Sequence, residues 1–163
     1  MWVIDFEASG LSKLSYPIEV GLTNGHIEYQ ALIRPLAHWE YWSEEAQSIH
    51  NITRNLLVEE GDFSEVVAKQ LNHFLTGETV YCDSAHWDGY WCNVLFSDNA
   101  ISQKFCIADV QELLAAPDAS VEVFLEQKHL LEDSDEYRVH RALDDAKILW
   151  RSAQAALGRG SSA

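Results

Sequence analysis

The stretch Trp2-Val3-Ile4-Asp5-Phe6-Glu7 decides how this 163-residue chain is read. Tryptophan, valine, isoleucine and phenylalanine all favour strands. Side chains alternate along a strand, so Trp2, Ile4 and Phe6 share one face, and Val3, Asp5 and Glu7 share the other. Two carboxylates then project side by side from an otherwise apolar strand. Like charges that close raise each other's pKa and resist joint ionisation. A hard divalent cation removes the conflict, and oxygen ligands suit magnesium or manganese. An exposed strand with a polar face is the plainer alternative. Ala8-Ser9-Gly10-Leu11 then ends the strand in a tight turn.

Working outward, residues 18–23 read as a second strand, Asn24-Gly25 as a hairpin turn and residues 26–33 as a third strand. Ser43 can cap a short helix through Ser48, and Asp62 with Glu65 looks like a capping box for a helix that stops near Gly77. A fourth strand is expected at 79–82 and a fifth at 105–109, with helices over 87–96, from 110 through 114, over 120–131 and up to 157. Three antiparallel strands followed by strand–helix alternation predict an α/β fold with a mixed five-stranded sheet flanked by helices. The chain reads as one domain over 1–157, and residues 158–163, rich in glycine and serine, as a disordered tail.

Two more clusters carry acids. Asp88 falls in the first turn of the 87–96 helix, where a carboxylate also meets the positive end of the helix dipole. That position is equally an ordinary acid at a helix start. His140-Arg141-Ala142-Leu143-Asp144-Asp145-Ala146 opens the last helix. Asp145 lies on the wheel with Ile148, Leu149, Ala153 and Ala156, the core-facing stripe, and an acid there needs a partner or a metal. Asp144 lies instead with Lys147 and Arg151, a charged stripe that can form ion pairs. In an unbroken helix, five residues would put His140 and Asp145 roughly 140° apart. His140 is therefore expected in the loop before the helix, where it can reach the same site as a general base. A surface histidine is the alternative.

In this order the motifs resemble the DEDDh family of 3′-to-5′ exonucleases, which includes the polymerase proofreading subunit, ribonuclease T and oligoribonuclease. The first motif is Asp5-Phe6-Glu7-Ala8-Ser9-Gly10-Leu11, the second Val80-Tyr81-Cys82-Asp83-Ser84-Ala85-His86-Trp87-Asp88, and the third His140 through Ala146 with the family's five-residue step from His to Asp. Ile49-His50-Asn51-Ile52-Thr53 resembles the family's Ile-His-Gly-Ile-Thr segment, with Asn51 in the glycine position, where a positive φ is still tolerated. Ser84 stands where many relatives have Asn, and Asp83 is an extra acid beside the site, either an outer ligand or an exposed loop residue.

The resemblance implies a ribonuclease H-like fold and hydrolysis of phosphodiester bonds at nucleic acid 3′ ends, with release of nucleoside 5′-monophosphates. Asp5, Glu7, Asp88 and Asp145 would hold two Mg²⁺ or Mn²⁺ ions, and His140 would take a proton from water. Ser9, Gly10, Leu11, Trp87, His50 and Arg141 become candidate substrate contacts. Trp91 reads better as core. Trp39 and Trp42 are candidates for a cleft wall or an oligomer interface, and Arg141 can pair with an acid as readily as with phosphate. A homodimer is borrowed from small relatives.

Composition limits the partners. No apolar run approaches 18 residues, so no membrane span is expected, and Cys82, Cys92 and Cys106 have no metal-ligand spacing, which suggests reduced thiols and a cytoplasmic setting. Eleven basic against 26 acidic residues give 11 − 26 = −15, and two divalent ions would move this only to −15 + 4 = −11. Long polymers are usually held by basic surfaces, so short or single-stranded substrates fit better. Two other readings remain: a catalytically silent binding subunit, and an enzyme using a carboxylate pair without metal, such as a glycosidase.

Overall fold

A computed structural model describes residues 1–158; the rest of the expected tail lies outside the described residues. The elements are β1 (Trp2–Ala8), β2 (Pro17–Thr23), β3 (Glu28–Arg34), α1 (Glu44–His50), α2 (Arg54–Glu60), β4 (Asp62–Phe63), α3 (Ser64–Leu75), β5 (Thr79–Cys82), α4 (Ala85–Asp98), β6 (Cys106–Asp109), α5 (Val110–Leu114), α6 (Val121–Glu132) and α7 (Ala142–Ala156). They form one mixed sheet in the order β4-β3-β2-β1-β5-β6. β1, β2 and β3 are antiparallel neighbours, and β5, β6 and β4 join in parallel.

Among the described residues six strands form where five were expected. The extra one is Asp62–Phe63, which pairs with Ile33 and Arg34 instead of starting a helix. The expected capping box therefore does not form: α3 begins at Ser64 with no side-chain cap. Pairing with the open edge of β3 wins over a local helix start. α2 was not anticipated, although Thr53 caps it by accepting the Leu56 amide. Ser43 caps α1 in the same way through Ala46, and Asn51 ends α1 in the left-handed conformation that its place in the motif required.

The two faces of β1 feed two cores. Ile4, Phe6 and Ala8 pack with α3 and α4 residues such as Leu71, Leu75, Trp91 and Leu95. Val3 packs with Val110, Phe124, Ala146, Leu149 and Ala153 on the other side. The alternation read from the sequence therefore holds, and Asp5 and Glu7 emerge beyond Val3, beneath α7. β2 is buried along its full length. Gly21 lies opposite Asp5, and a Cβ there would come within 2.2 Å of the Ala142 carbonyl carbon and the Leu143 nitrogen. This missing side chain lets the start of α7 rest directly on the sheet.

Candidate active site

Asp5 and Glu7 are fixed by the strand, and the other site residues are brought to them. Pairing of β1 with β5 involves Trp2 and Val3. Further along β1 the Phe6 amide donates instead to Asp88 Oδ1 (3.2 Å), and the Ser84 amide donates to Oδ2 (3.3 Å). Asp88, only 4% exposed, thus plugs the space between the two strands next to Asp5.

At the other wall, His140 occupies the loop before α7, as expected, with φ 65°. Its amide donates to Asp145 Oδ2 (2.9 Å), which ties the loop to the first turn of the helix. Ligand atoms of Glu7, His140 and Asp145 all lie within 4.8 Å of one another. The cavity they share is about 240 Å³ and includes Asp5, Asp83, Lys128 and Glu132.

The crowding of carboxyls has the electrostatic consequence expected of it. Burial, then the charges of Asp88, Glu7 and Asp145, hold the Asp5 pKa well above the ordinary carboxylate value. Glu7 is pushed up to about 8 by burial and by Asp145, Glu19 and Asp88. Burial raises Asp88 to about 7 against the hydrogen bonds from Ser84 and Phe6, and raises Asp145 to about 7 against the bond from His140. Four acids that burial and acidic neighbours all push toward the protonated form are a natural seat for cations.

The start of α7 is clamped by Glu19, which sits opposite Glu7 on β2 and is fully buried. Arg141 Nε donates to Glu19 Oε2 (3.1 Å) and its NH2 to Oε1 (2.7 Å); the Ala142 amide donates to Oε2 (3.1 Å) and Gln30 Nε2 to Oε1 (2.7 Å). Arg141 is therefore committed to an acid, the alternative to phosphate binding weighed above. The clamp was missed in the sequence; an acid inside the apolar run Ile18-Glu19-Val20 was its one signal. The ion pairs expected within α7 also fall elsewhere. Lys147 pairs with Glu28 and Arg151 with Glu136, while Asp144 accepts the Arg138 amide.

The proposed substrate contacts divide into three groups. Gly10, Leu11 and His50 line a second, mainly apolar cavity of about 200 Å³ that also touches Glu7, Trp91 and His140. Leu11, 71% exposed, stands at its mouth. His50 is buried, which lowers its pKa, and its Nδ1 accepts the Ile52 amide, so the neutral ring carries its proton on Nε2. Among the described residues that N–H has no hydrogen-bond partner of good geometry, although the Ala8 backbone interacts with the ring and opposes the lowering. Ser9 is buried, with its hydroxyl accepting the Tyr16 amide, and so closes the loop after β1. Trp87 lies apart with Lys13, His86 and Tyr90, stacked on Trp91 at 5.4 Å. Trp91 is core, as read, and its indole donates to Ser15. Trp39 is also core, stacked on Tyr16, and not a cleft wall; Trp42 is half-buried beside His50.

No family model and no curated protein matches the sequence. The structure does match solved ones. A zinc-bound complex of E. coli exonuclease I with single-stranded DNA superposes with a TM-score of 0.73 at 14% identity, over 97% of this chain and 40% of that one. The fold is the one exonuclease I carries. A product-bound exonuclease I gives 0.70 at 13% identity over 94% of this chain and 42% of the other. Exonuclease I from Methylocaldum szegediense gives 0.66 at 14%, over 94% and 39%. The ribonuclease H-like architecture implied by the motifs is thus present, and the chain spans about two fifths of the length of the exonuclease I chains it matches.

Proposed function

We propose that the chain is a metal-dependent 3′-to-5′ exonuclease that hydrolyses single-stranded or frayed nucleic acid ends and releases nucleoside 5′-monophosphates. The observation that carries this reading is the convergence of Asp5 and Glu7 from β1, His140 from the loop before α7 and Asp145 from α7 around one cavity, with Asp88 of α4 buried behind it against the Phe6 amide. The donor set fits hard divalent ions: four carboxylates with raised proton affinity, two of which, Glu7 and Asp145, have the His140 imidazole within 4.8 Å. Asp5, Glu7, Asp88 and Asp145 would hold two such ions, magnesium or manganese. Bound there, they would supply Lewis-acid chemistry, making water acidic enough to attack and stabilising charge on the leaving oxygen.

The chain's own groups do the rest. His140, on a loop pinned by Asp145, accepts a proton from the attacking water. The water oxygen bonds to phosphorus as the P–O3′ bond breaks; the bonding pair leaves with O3′, which takes a proton from solvent, so the shortened strand ends in a 3′ hydroxyl. The apolar cavity beside Glu7 receives the terminal nucleoside, with Leu11 and Trp91 against the base and the His50 Nε2–H as a donor. Charge favours short or single-stranded substrates, because the surface offers a long polymer little positive charge. Residues 1–157 act as one exonuclease domain. Cys82, Cys92 and Cys106 are free thiols, which fits a cytoplasmic setting, and among the described residues no helix is long and apolar enough to cross a membrane.

Asp5→Asn and Asp145→Asn are expected to abolish turnover in folded protein, and full activity of Asp5→Asn would overturn the assignment. His140→Ala should slow hydrolysis while leaving manganese affinity largely intact. Loss of manganese binding in that variant would make His140 a ligand and not a base.

A further inference from the structure

The catalytic cavity contains a cation that none of the motifs supplies. Lys128 and Glu132 lie one turn apart on α6, and Asp83 lies in the connection from β5 to α4; all three line the cavity with Asp5, Glu7 and Asp145. Lys128 Nζ donates to Asp83 Oδ2 at 2.7 Å and lies 3.9 Å from Glu132 Oε1. Its side chain is 23% exposed. An ammonium has three donors. Only the Asp83 contact is of hydrogen-bond length, so Lys128 retains donors for an acceptor entering the cavity.

The charge balance says what such an acceptor would be. Arg141 is occupied by Glu19, which leaves Lys128 as the one permanently positive side chain lining this cavity among the described residues. Asp83 and Glu132 are not needed to explain the metal set, and together they hold the ammonium at the wall. Burial works against the Lys128 charge, but the Asp83 bond and the charges of Asp83 and Glu132 more than offset it, so its pKa lies above the ordinary lysine value. The reaction proposed above begins with a phosphodiester monoanion and ends with a monophosphate close to a dianion. Either must rest among several carboxylates. A fixed point charge is how lysine serves phosphate.

We propose that Lys128 is a phosphate-binding residue of this site, its ammonium aimed by Asp83 and Glu132 at the non-bridging oxygens of the 3′-terminal phosphodiester and of the released 5′-phosphate. The inference rests on the exonuclease reading. It also gives Asp83 a role, as the tether of Lys128 and not as a metal ligand or an idle loop acid.

The test compares Lys128→Met, Lys128→Arg and Asp83→Asn with the wild-type chain, using a short 5′-labelled oligonucleotide in manganese and a nucleoside 5′-monophosphate as product inhibitor. Lys128→Met should raise both KM and the inhibition constant by about ten-fold or more, the loss of one charge-assisted hydrogen bond. Its manganese affinity and melting temperature should stay close to wild type. Lys128→Arg should recover most of the loss, and Asp83→Asn, which keeps the ammonium, should cost less than Lys128→Met. Wild-type KM and inhibition constant in Lys128→Met would overturn the proposal. So would equal losses in Lys128→Met and Asp83→Asn accompanied by lower melting temperature, which would make the pair a strut between α6 and the β5–α4 connection. If the wild-type chain itself neither cleaves the oligonucleotide nor binds the monophosphate in manganese, the exonuclease reading falls first and this inference with it.

Discussion

Metal binding should release protons in a number that the site itself sets. A carboxylate must lose its proton to ligate a cation. With Glu7 near 8 and Asp88 and Asp145 near 7, these three are mostly protonated at pH 6 in the metal-free protein, and burial and its acidic neighbours push Asp5 in the same direction. From those three values, saturating the site should displace ~3 protons from Glu7, Asp88 and Asp145 at pH 6 and ~0.1 at pH 9, with anything from Asp5 added to both counts. The four acids interact, so only the sum carries meaning. Titration calorimetry with manganese, repeated in two buffers of different ionisation enthalpy at each pH, reads that sum. Release of less than about one proton at pH 6, or a count that does not change between pH 6 and 9, would refute the electrostatic description of the cluster.

Other consequences concern stability and the seating of α7. The raised acids bind protons more tightly folded than unfolded, so their contribution to stability is complete below about pH 4 and is lost as pH rises through about 7 to 8. The melting temperature in chelator should therefore fall between pH 5 and pH 8, and manganese at pH 8 should restore it; a curve that rises over that interval would contradict the assignment. Gly21→Ala would drive a methyl into the Ala142–Leu143 peptide and should cost ~1–3 kcal/mol or more in urea unfolding, together with most manganese affinity. Glu19→Ala leaves Arg141 and the Ala142 amide without their acceptor and should destabilise the fold by about 3–5 kcal/mol; a change under about 1 kcal/mol would show that the clamp is dispensable.

The sequence made the site's acidic face legible because that face is local. Alternation in β1 placed Asp5 and Glu7 together, and the helical wheel of α7 placed Asp145 inward and Asp144 outward. The offset of five residues put His140 in the preceding loop, which is where it lies. What stayed hidden depends on contacts between distant segments. Glu19 and Arg141 are 122 residues apart, and Lys128 and Asp83 are 45 apart. No spacing rule links them. β4 is two residues whose strand character comes from the edge of β3 and not from their own propensity, which is why Asp62 and Glu65 read as a helix start. Thr53 at the start of α2 was a readable cap that the motif resemblance overshadowed. Ser9 and Arg141 are candidate substrate contacts by motif position alone; the structure adds long-range bonds that the motif does not foretell, from the Tyr16 amide to the Ser9 hydroxyl and from Arg141 Nε and NH2 to Glu19.

The central claim is tested most directly by incubating 5′-labelled single-stranded DNA and RNA, short and long, with the folded protein in manganese, magnesium or chelator. The account predicts a ladder that shortens from the 3′ end, appears with the metals, disappears with chelator, and favours the short strands. Intact substrate under every condition, or cleavage that is indifferent to chelator, would contradict it.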